Sequence, residues 1–451
     1  MRQFRNLTKL IQLCLVLVGI LLSSPSFSEG GTHLDKTFAA NGLARISFGI
    51  GKNWAADGVT QSDGKIIIVG SLADSSYAHS IALARVNPDG VLDEKFGAGG
   101  VIATKVGSNS QATGVGVMPD GRIVVVGWAF IEKGKEGVAV AMYQEDGSLD
   151  THFGDQGLLI FPMEYSTAYV YSLAVQQDGK IMVGGKITIR KEYTDQLLVR
   201  SVPDDYVFLA RLNSDGAFDP AFGKSGVVVT DVGGGHVRIT SLTLQSDGKI
   251  IASGTRQKGA TSTLVLARYN LNGVLDERFG VDGLANRTME NGRYKPPTVS
   301  VLADGRIHLV GGYSVRDEAW LFLSRLRADG TSDSTFGGSG TVVTRTTLWR
   351  FSDFIAVTQP DGKIVVSGLS VRPPKPGQSQ PPFYFSIGIS RFLENGQADI
   401  SFGGNGIQVV QIGALTDRPT FMTVQKNGRI VVAGHSDNQV GQQIVLIGLV
   451  P

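Results

Sequence analysis

An Asp followed three residues later by Phe recurs seven times along the chain: Asp35/Phe38, Asp93/Phe96, Asp150/Phe153, Asp219/Phe222, Asp276/Phe279, Asp333/Phe336 and Asp399/Phe402. The successive spacings are 58, 57, 69, 57, 57 and 66 residues. A second signature, Asp-Gly-Lys/Arg-Ile, begins at Asp63, Asp120, Asp178, Asp247, Asp304 and Asp361, with Asn427 in the same place in the last copy. Its spacings are 57, 58, 69, 57, 57 and 66, so both signatures record the same two insertions. A period of this size marks stacked or radial units, none of which buries its own apolar surface alone.

Each copy reads as four short β-strands, A to D, with no helical periodicity of useful length. Strand A precedes the Asp-Gly turn and alternates, as in Leu242 to Leu244; its middle position is Val59, Gly116, Ala174, Thr243, Ser300, Val357 or Thr423, mostly small. Strand B comes after the turn as a near-continuous apolar run, such as Ile123 to Val126, which suits a strand buried on both faces. It ends in a glycine seven times: Gly70, Gly127, Gly185, Gly254, Gly311, Gly368 and Gly434. Strand C is typified by Phe208 to Leu212, and strand D is expected from the Leu-Asp-x-x-Phe-Gly segment and the residues directly after it.

Such strands, joined by Asp-Gly turns that tolerate positive φ, form antiparallel meanders. Seven meanders packed radially bury both faces of each sheet. The expected fold is therefore all-β, a single seven-bladed β-propeller of four-stranded antiparallel blades over residues 34–451. The phase predicts the closure. The chain opens with a D-type segment, Leu34 to Ile46, and finishes with A, B and C segments at Phe421 to Val424, Ile430 to Gly434 and Ile444 to Val450. The last blade is thus expected to be completed by the N-terminal strand.

The segments Phe218 to Gly223, Gln245 to Ile250 and Ala210 to Gly216 resemble the delta-60 repeat, a β-propeller-type repeat of exported bacterial proteins. The resemblance covers essentially residues 34 to 451. It implies architecture and export, and brings no catalytic residues with it.

Export is also legible at the N-terminus. Arg2, Arg5 and Lys9 precede an apolar run from Leu10 to Leu22, and small residues continue through Ser28, the layout of a secretory signal over residues 1–28 with 29–33 as a short lead-in. This run of thirteen residues, interrupted only by Gln12, falls short of the roughly 20 that a membrane span needs. The expectation is a periplasmic or extracellular protein without stable membrane insertion. Cys14, the only cysteine, lies inside the apolar run without the small residue that lipid attachment wants before it, so the processed chain is expected to hold neither disulfide nor thiolate metal site. Removing three basic residues with the signal takes the formal charge from +2 to −1, and no basic stripe remains to displace the counterions of a nucleic acid.

The chemistry-bearing motifs read mostly as structure. Asn87, Asp89, Gly90 and Asp93 have the oxygen-rich look of a calcium loop but lack its closing bidentate glutamate, and the other copies alter the ligands, so hairpin turns explain them better. An Arg stands eight residues before the repeat Asp in five copies, from Arg85/Asp93 to Arg391/Asp399, the spacing of a charge-assisted contact between strands C and D; Met142 and Gly448 replace it elsewhere. No histidine pair has metal-ligand spacing, though His236, just before a strand A, is best placed to face the axis. No nucleophile elbow or phosphate loop is present, and neither a metal nor a cofactor is expected.

The A–B and C–D turns are short and alike in every copy, whereas the D–A and B–C loops vary, and by chain direction the variable sets share one face. Both insertions, Thr188 to Tyr206 and the proline-rich Val371 to Tyr384, are B–C loops. Trp54 and Trp349 precede a strand A, Trp128 lies after a strand B and Trp320 precedes a strand C; Tyr165, Tyr169, Tyr294 and Phe351 map to the same side. These aromatics, with His236, are the candidate ligand-binding residues; the competing reading is that they wedge blades apart or plug the channel. The expected function is a monomeric, non-enzymatic recognition scaffold that binds a protein or polysaccharide through this face. The alternative is a propeller-type hydrolase or lyase with an axial active site.

Overall fold

The computed structural model describes residues 34–131, 136–162, 166–195, 198–315, 318–345, 354–371, 385–413, 415–438 and 441–451. The signal and lead-in expected over residues 1–33 lie outside them. Strand β1 (Leu43–Ile46) comes first. Blade 1 is β2 (Lys52–Thr60), β3 (Ile66–Ala73), β4 (His79–Val86) and β5 (Val101–Thr104). Blade 2 is β6 (Asn109–Val117), β7 (Ile123–Phe130), β8 (Glu136–Tyr143) and β9 (Leu158–Pro162). Blade 3 is β10 (Ser166–Val175), β11 (Ile181–Asp195), β12 (Leu198–Leu212) and β13 (Val227–Thr230). Blade 4 is β14 (His236–Leu244), β15 (Ile250–Lys258), β16 (Thr261–Tyr269) and β17 (Arg287–Glu290). In blade 5, Pro296 and Pro297 split strand A into β18 (Gly292–Tyr294) and β19 (Thr298–Val301), with β20 (Ile307–Val315), β21 (Glu318–Leu326) and β22 (Thr341–Arg345) after them. Blade 6 is β23 (Ile355–Thr358), β24 (Ile364–Val371), β25 (Phe385–Phe392) and β26 (Ile407–Val410). Blade 7 is β27 (Asp417–Val424), β28 (Ile430–Asn438) and β29 (Gly441–Leu449), with β1 as its fourth strand.

Every sheet is an antiparallel meander, and the A strands touch one another in order around the axis and back to β2. The ring closes as the phase requires: Leu43 to Ile46 pair with Ile447 to Ile444. Of the segment Leu34 to Ile46 only that stretch is strand, with an isolated bridge from Leu34 to Leu449. Two expectations are corrected. The Leu-Asp-x-x-Phe-Gly segment is a turn rather than the start of strand D, because Asp93 ties back the amide of Lys95 and its own carbonyl accepts from Phe96, so β5 begins only at Val101. The first insertion is a hairpin rather than a loop, with β11 and β12 paired out to Asp195 and Leu198. The second insertion lies outside the described residues from 372 to 384.

The core is seven separate apolar layers, one in each gap between adjacent blades. Strand B explains why it reads as unbroken apolar sequence: Ile66 and Ile68 face blade 7, whereas Ile67 and Val69 face blade 2. Strand B runs on past its glycine rather than ending there, and that glycine answers a bulge in strand A, present in five blades at Ala55/Asp57, Ala112/Gly114, Val170/Ser172, Ile239/Ser241 and Pro419/Phe421. A Cβ on Gly70 would stand 1.7 Å from the Trp54 carbonyl oxygen, so no larger residue fits beside the bulge.

The opposite edge of six gaps, all but that between blades 6 and 7, is held by a staple built from the repeat motif. The amide one residue after the repeat Phe donates to the next blade's C–D turn, as Gly97 does to Asp146 and Gly280 to Asp329. The repeat Asp takes an ion pair from the C-strand Arg: Arg85 to Asp93 at 2.8 Å, Arg211 to Asp219 at 2.8 Å, Arg268 to Asp276 at 2.9 Å, Arg325 to Asp333 at 2.6 Å and Arg391 to Asp399 at 2.8 Å. The same guanidinium reaches a carbonyl in the next blade's turn, from Arg85 to Glu145, Arg211 to Leu271, Arg268 to Ala328 and Arg325 to Glu394. It also lies over the repeat Phe ring, 4.4 Å away for Arg85 on Phe96. The two copies without this Arg keep the staple by another route. Arg122 and Arg429, from the Asp-Gly-Lys/Arg turn, reach Asp150 at 2.7 Å and Asp35 at 2.6 Å and bridge to Ser214 and Pro88 of the next blade. The guanidinium therefore changes its source in the sequence while keeping its place in the fold.

Candidate functional site

The bulges place one A-strand position of five blades at the loop-side mouth of the axial channel, two residues before each bulged residue. That position holds Trp54, Gln111, Tyr169, Arg238 and Arg418, paired across to Ser71, Trp128, Lys186, Thr255 and His435. One backbone geometry thus presents a different side chain in each blade. The sequence-predicted residues that are described fall into three groups along this mouth.

Between blades 1 and 2, the Trp54 and His79 rings lie 5.0 Å apart at 34°. His79 Nδ1 is 3.3 Å from both Ser71 Oγ and Gln111 Nε2. Trp128, across from Gln111, meets Phe130 edge-on at 5.4 Å. Between blades 3 and 4, Tyr169 and the bulged Tyr171 stack at 6.3 Å. The Lys186 ammonium lies 5.4 Å from the Tyr169 ring and the Arg238 guanidinium 5.3 Å from that of Tyr171. Asp205, only 3% exposed, anchors this group. It accepts from Lys186 Nζ at 2.9 Å, Thr188 Oγ1 at 2.5 Å and the Val237 amide at 3.2 Å. Burial works against its charge, but those hydrogen bonds and the Lys186 ammonium outweigh it and hold the carboxyl below its usual range. His236 Nδ1 stands 3.7 Å from the same carboxylate with its ring 84% exposed. In blade 5, Tyr313 and Trp320 stack at 6.1 Å and 7°, and Tyr294 meets Tyr313 and Phe322 edge-on at 6.0 Å. Tyr165, Trp349 and Phe351 lie outside the described residues.

Sequence reasoning misses Lys186, Arg238 and Tyr171. A signal is present for two of them: Lys186 is a cation directly after the strand-B glycine, and Tyr171 stands where the other bulged strands carry Ala56, Thr113, Thr240 and Thr420, whereas Arg238 shares its position with Arg418.

Inside the channel, polar side chains tie neighbouring A strands together: Thr60 to Thr423 at 2.8 Å and Ser300 to Thr358 at 2.9 Å. His308 bonds Thr358 at 3.1 Å, and burial pushes its imidazole down to about 4. Asp57 accepts from the Val115 amide at 3.3 Å. It is enclosed by protein though part of its surface opens to the channel, and burial raises its carboxyl to about 7. Among the described residues no three His, Cys, Asp or Glu side chains converge as a metal site would require.

The family described as "Domain of unknown function (DUF5122) beta-propeller" matches residues 61–96, 119–153, 206–222, 245–279 and 302–336. These matches fall in five of the seven repeats and support a β-propeller repeat family. No curated protein matches it in sequence. Among solved structures, Drosophila semaphorin 2a aligns with a TM-score of 0.52 at 8% identity, over 95% of this chain and 77% of that one. The polysaccharide lyase Uly1 gives 0.44 at 10% identity over 94% of each chain. A catalytically inactive virginiamycin B lyase from Staphylococcus aureus, solved with quinupristin, gives 0.41 at 11% identity over 90% and 98%. The semaphorin likeness is one of fold alone.

Proposed function

We propose that this protein is an exported, non-enzymatic recognition scaffold of the delta-60 type that binds a polysaccharide or protein at the loop-side channel mouth. One observation carries the reading: a single position two residues before the bulge presents Trp54, Gln111, Tyr169, Arg238 and Arg418 on otherwise matching strands. Fold maintenance calls for the same residue in every copy, as the staples display; recognition calls for different ones. Half-buried aromatic rings beside cations suit sugar rings and anionic substituents. The test is binding of the full chain to an immobilised panel of neutral and acidic polysaccharides and to proteins of the culture medium. Trp54→Ala and Tyr169→Ala should each weaken capture while leaving the melting temperature within a few degrees. Unchanged capture by both would refute the surface.

The axial hydrolase or lyase reading rests on Asp57, whose carboxyl near 7 suits proton transfer at neutral pH. Bond cleavage in any captured polysaccharide, lost in Asp57→Asn, would favour it over the scaffold.

A further inference from the structure

Between blades 4 and 5 a charged residue stands at a strand-D position that other gaps fill with neutral ones. In two other gaps a D-strand threonine meets a tyrosine of the next blade: Tyr143 donates to Thr104 Oγ1 at 2.9 Å and Tyr269 to Thr230 Oγ1 at 3.0 Å. The corresponding residues here are Arg287 and Leu326. Arg287 pairs with Leu264 in the register that Thr230 keeps with Val207, and the shorter Leu326 leaves room for the longer side chain.

Among the described residues the guanidinium is held by hydroxyls alone. Arg287 Nη1 donates to Ser324 Oγ at 3.2 Å and Thr341 Oγ1 at 2.6 Å, and Nη2 to Ser332 Oγ at 3.0 Å. Three of its five N–H groups are thereby used, leaving Nε–H and one Nη2–H, a pair suited to two oxygens of one anion. The staple guanidiniums each face a carboxylate, and in Arg122 the bonds and charges of Asp150 and Asp120 more than offset burial and stabilise the charged form. In Arg287 burial prevails, opposed only by Tyr294, and the charged form is disfavoured. A half-buried cation without an anion is a standing electrostatic deficit. It lines a cavity of about 490 Å³ with Asn286, Ser332, Leu326 and Asp282. Asp282 is exposed, and among the described residues no ion pair joins it to Arg287.

We propose that this inter-blade cavity binds the oxyanion group of a small ligand, a phosphate, sulfate or carboxylate, with Arg287 supplying the charge and Ser332 and Asn286 the polar lining. The site sits at a C–D turn, on the opposite side of the ring from the loop-side mouth, and does not depend on the function proposed there.

The experiment is calorimetric titration of the full chain with sodium phosphate, sodium sulfate and sodium glucuronate at constant ionic strength, with sodium chloride as the control. At least one oxyanion should bind with a stoichiometry of one, and whichever binds tightest identifies the source. Arg287→Thr combined with Leu326→Tyr rebuilds the Thr–Tyr pair found in two other gaps, so it should fold normally and bind roughly tenfold more weakly or not at all. Arg287→Lys, which keeps the charge but loses the fork, should fall between the two. No binding above chloride by the native chain, or equal binding by the double variant, would overturn the proposal.

Discussion

The two faces of this propeller obey opposite rules. On the turn face six of the seven gaps between blades are closed by one set of contacts among the described residues, an Asp, a Phe, a guanidinium and a backbone bond, and the chain keeps that set even where it must take the guanidinium from another strand. On the loop face a single backbone geometry carries Trp, Gln, Tyr and Arg in turn. The difference teaches that in a repeat protein sameness marks what holds the ring and variety marks what meets the outside. The seam is where the first rule is most exposed, because the blade it closes is shared by the two ends of the chain.

Deletion of residues 34–46 should be the most damaging change, since it strips blade 7 of its fourth strand and of buried Phe38, Ala44 and Ile46. A loss above about 5 kcal/mol is expected, read as the absence of a cooperative melt. Next, Arg268→Met should cost about 3 kcal/mol or more, because it leaves Asp276 with Lys249, 3.2 Å away, as its one remaining cation among the described residues. Adding Lys249→Arg copies the arrangement of blade 2 and should recover most of that loss in urea unfolding; no recovery would mean that the two staples are not equivalent.

Acid should then separate the staple from the channel. Asp333 is held down at about 2, chiefly by Thr335 with Arg325 contributing, so its stabilisation is complete above the unfolded value near 3.9 and disappears as pH falls through 2. Asp57 has the reverse sign: its folded value of about 7 means that stability drops as pH rises from about 4 through 7. Asp57→Asn should accordingly add roughly 2 kcal/mol at pH 8 and nothing at pH 3, measured by thermal melts at both values. The smallest effect belongs to the loop face, where Tyr171→Ala should change stability by about 1 kcal/mol or less.

Much of the fold is legible in the residues. The seven Asp-x-x-Phe and Asp-Gly-Lys/Arg-Ile signatures set the blade number, and the phase of Leu34 to Ile46 sets the closure. The Arg-to-Asp interval of eight foretells the ion pair. Its replacement by Arg122 and Arg429 is not readable in the same way, because turn and strand residues converge only once the sheet is formed. Strand D is misplaced by the sequence pattern for a related reason, as the Leu-Asp-x-x-Phe apolar spacing suits a turn that buries its Phe in the next gap as well as a strand. The first insertion reads as a loop because its charged sequence, Arg190 to Glu192, hides a hairpin that lacks apolar alternation. At the candidate site, aromatic residues stand out for their size; Lys186 and Arg238 do not, since a cation beside a glycine has no meaning until the bulge aims it at a ring.

One measurement tests the division of labour most directly: melting temperature and polysaccharide or protein capture, determined together for Trp54→Ala/Tyr169→Ala/Arg238→Ala and for Arg268→Met. The first variant should lose capture and keep its melting temperature within a few degrees, and the second should lose melting temperature and keep capture below its transition. A loop-face variant that captures its partner as well as the native chain does, or that unfolds as readily as the staple variant, would contradict the account.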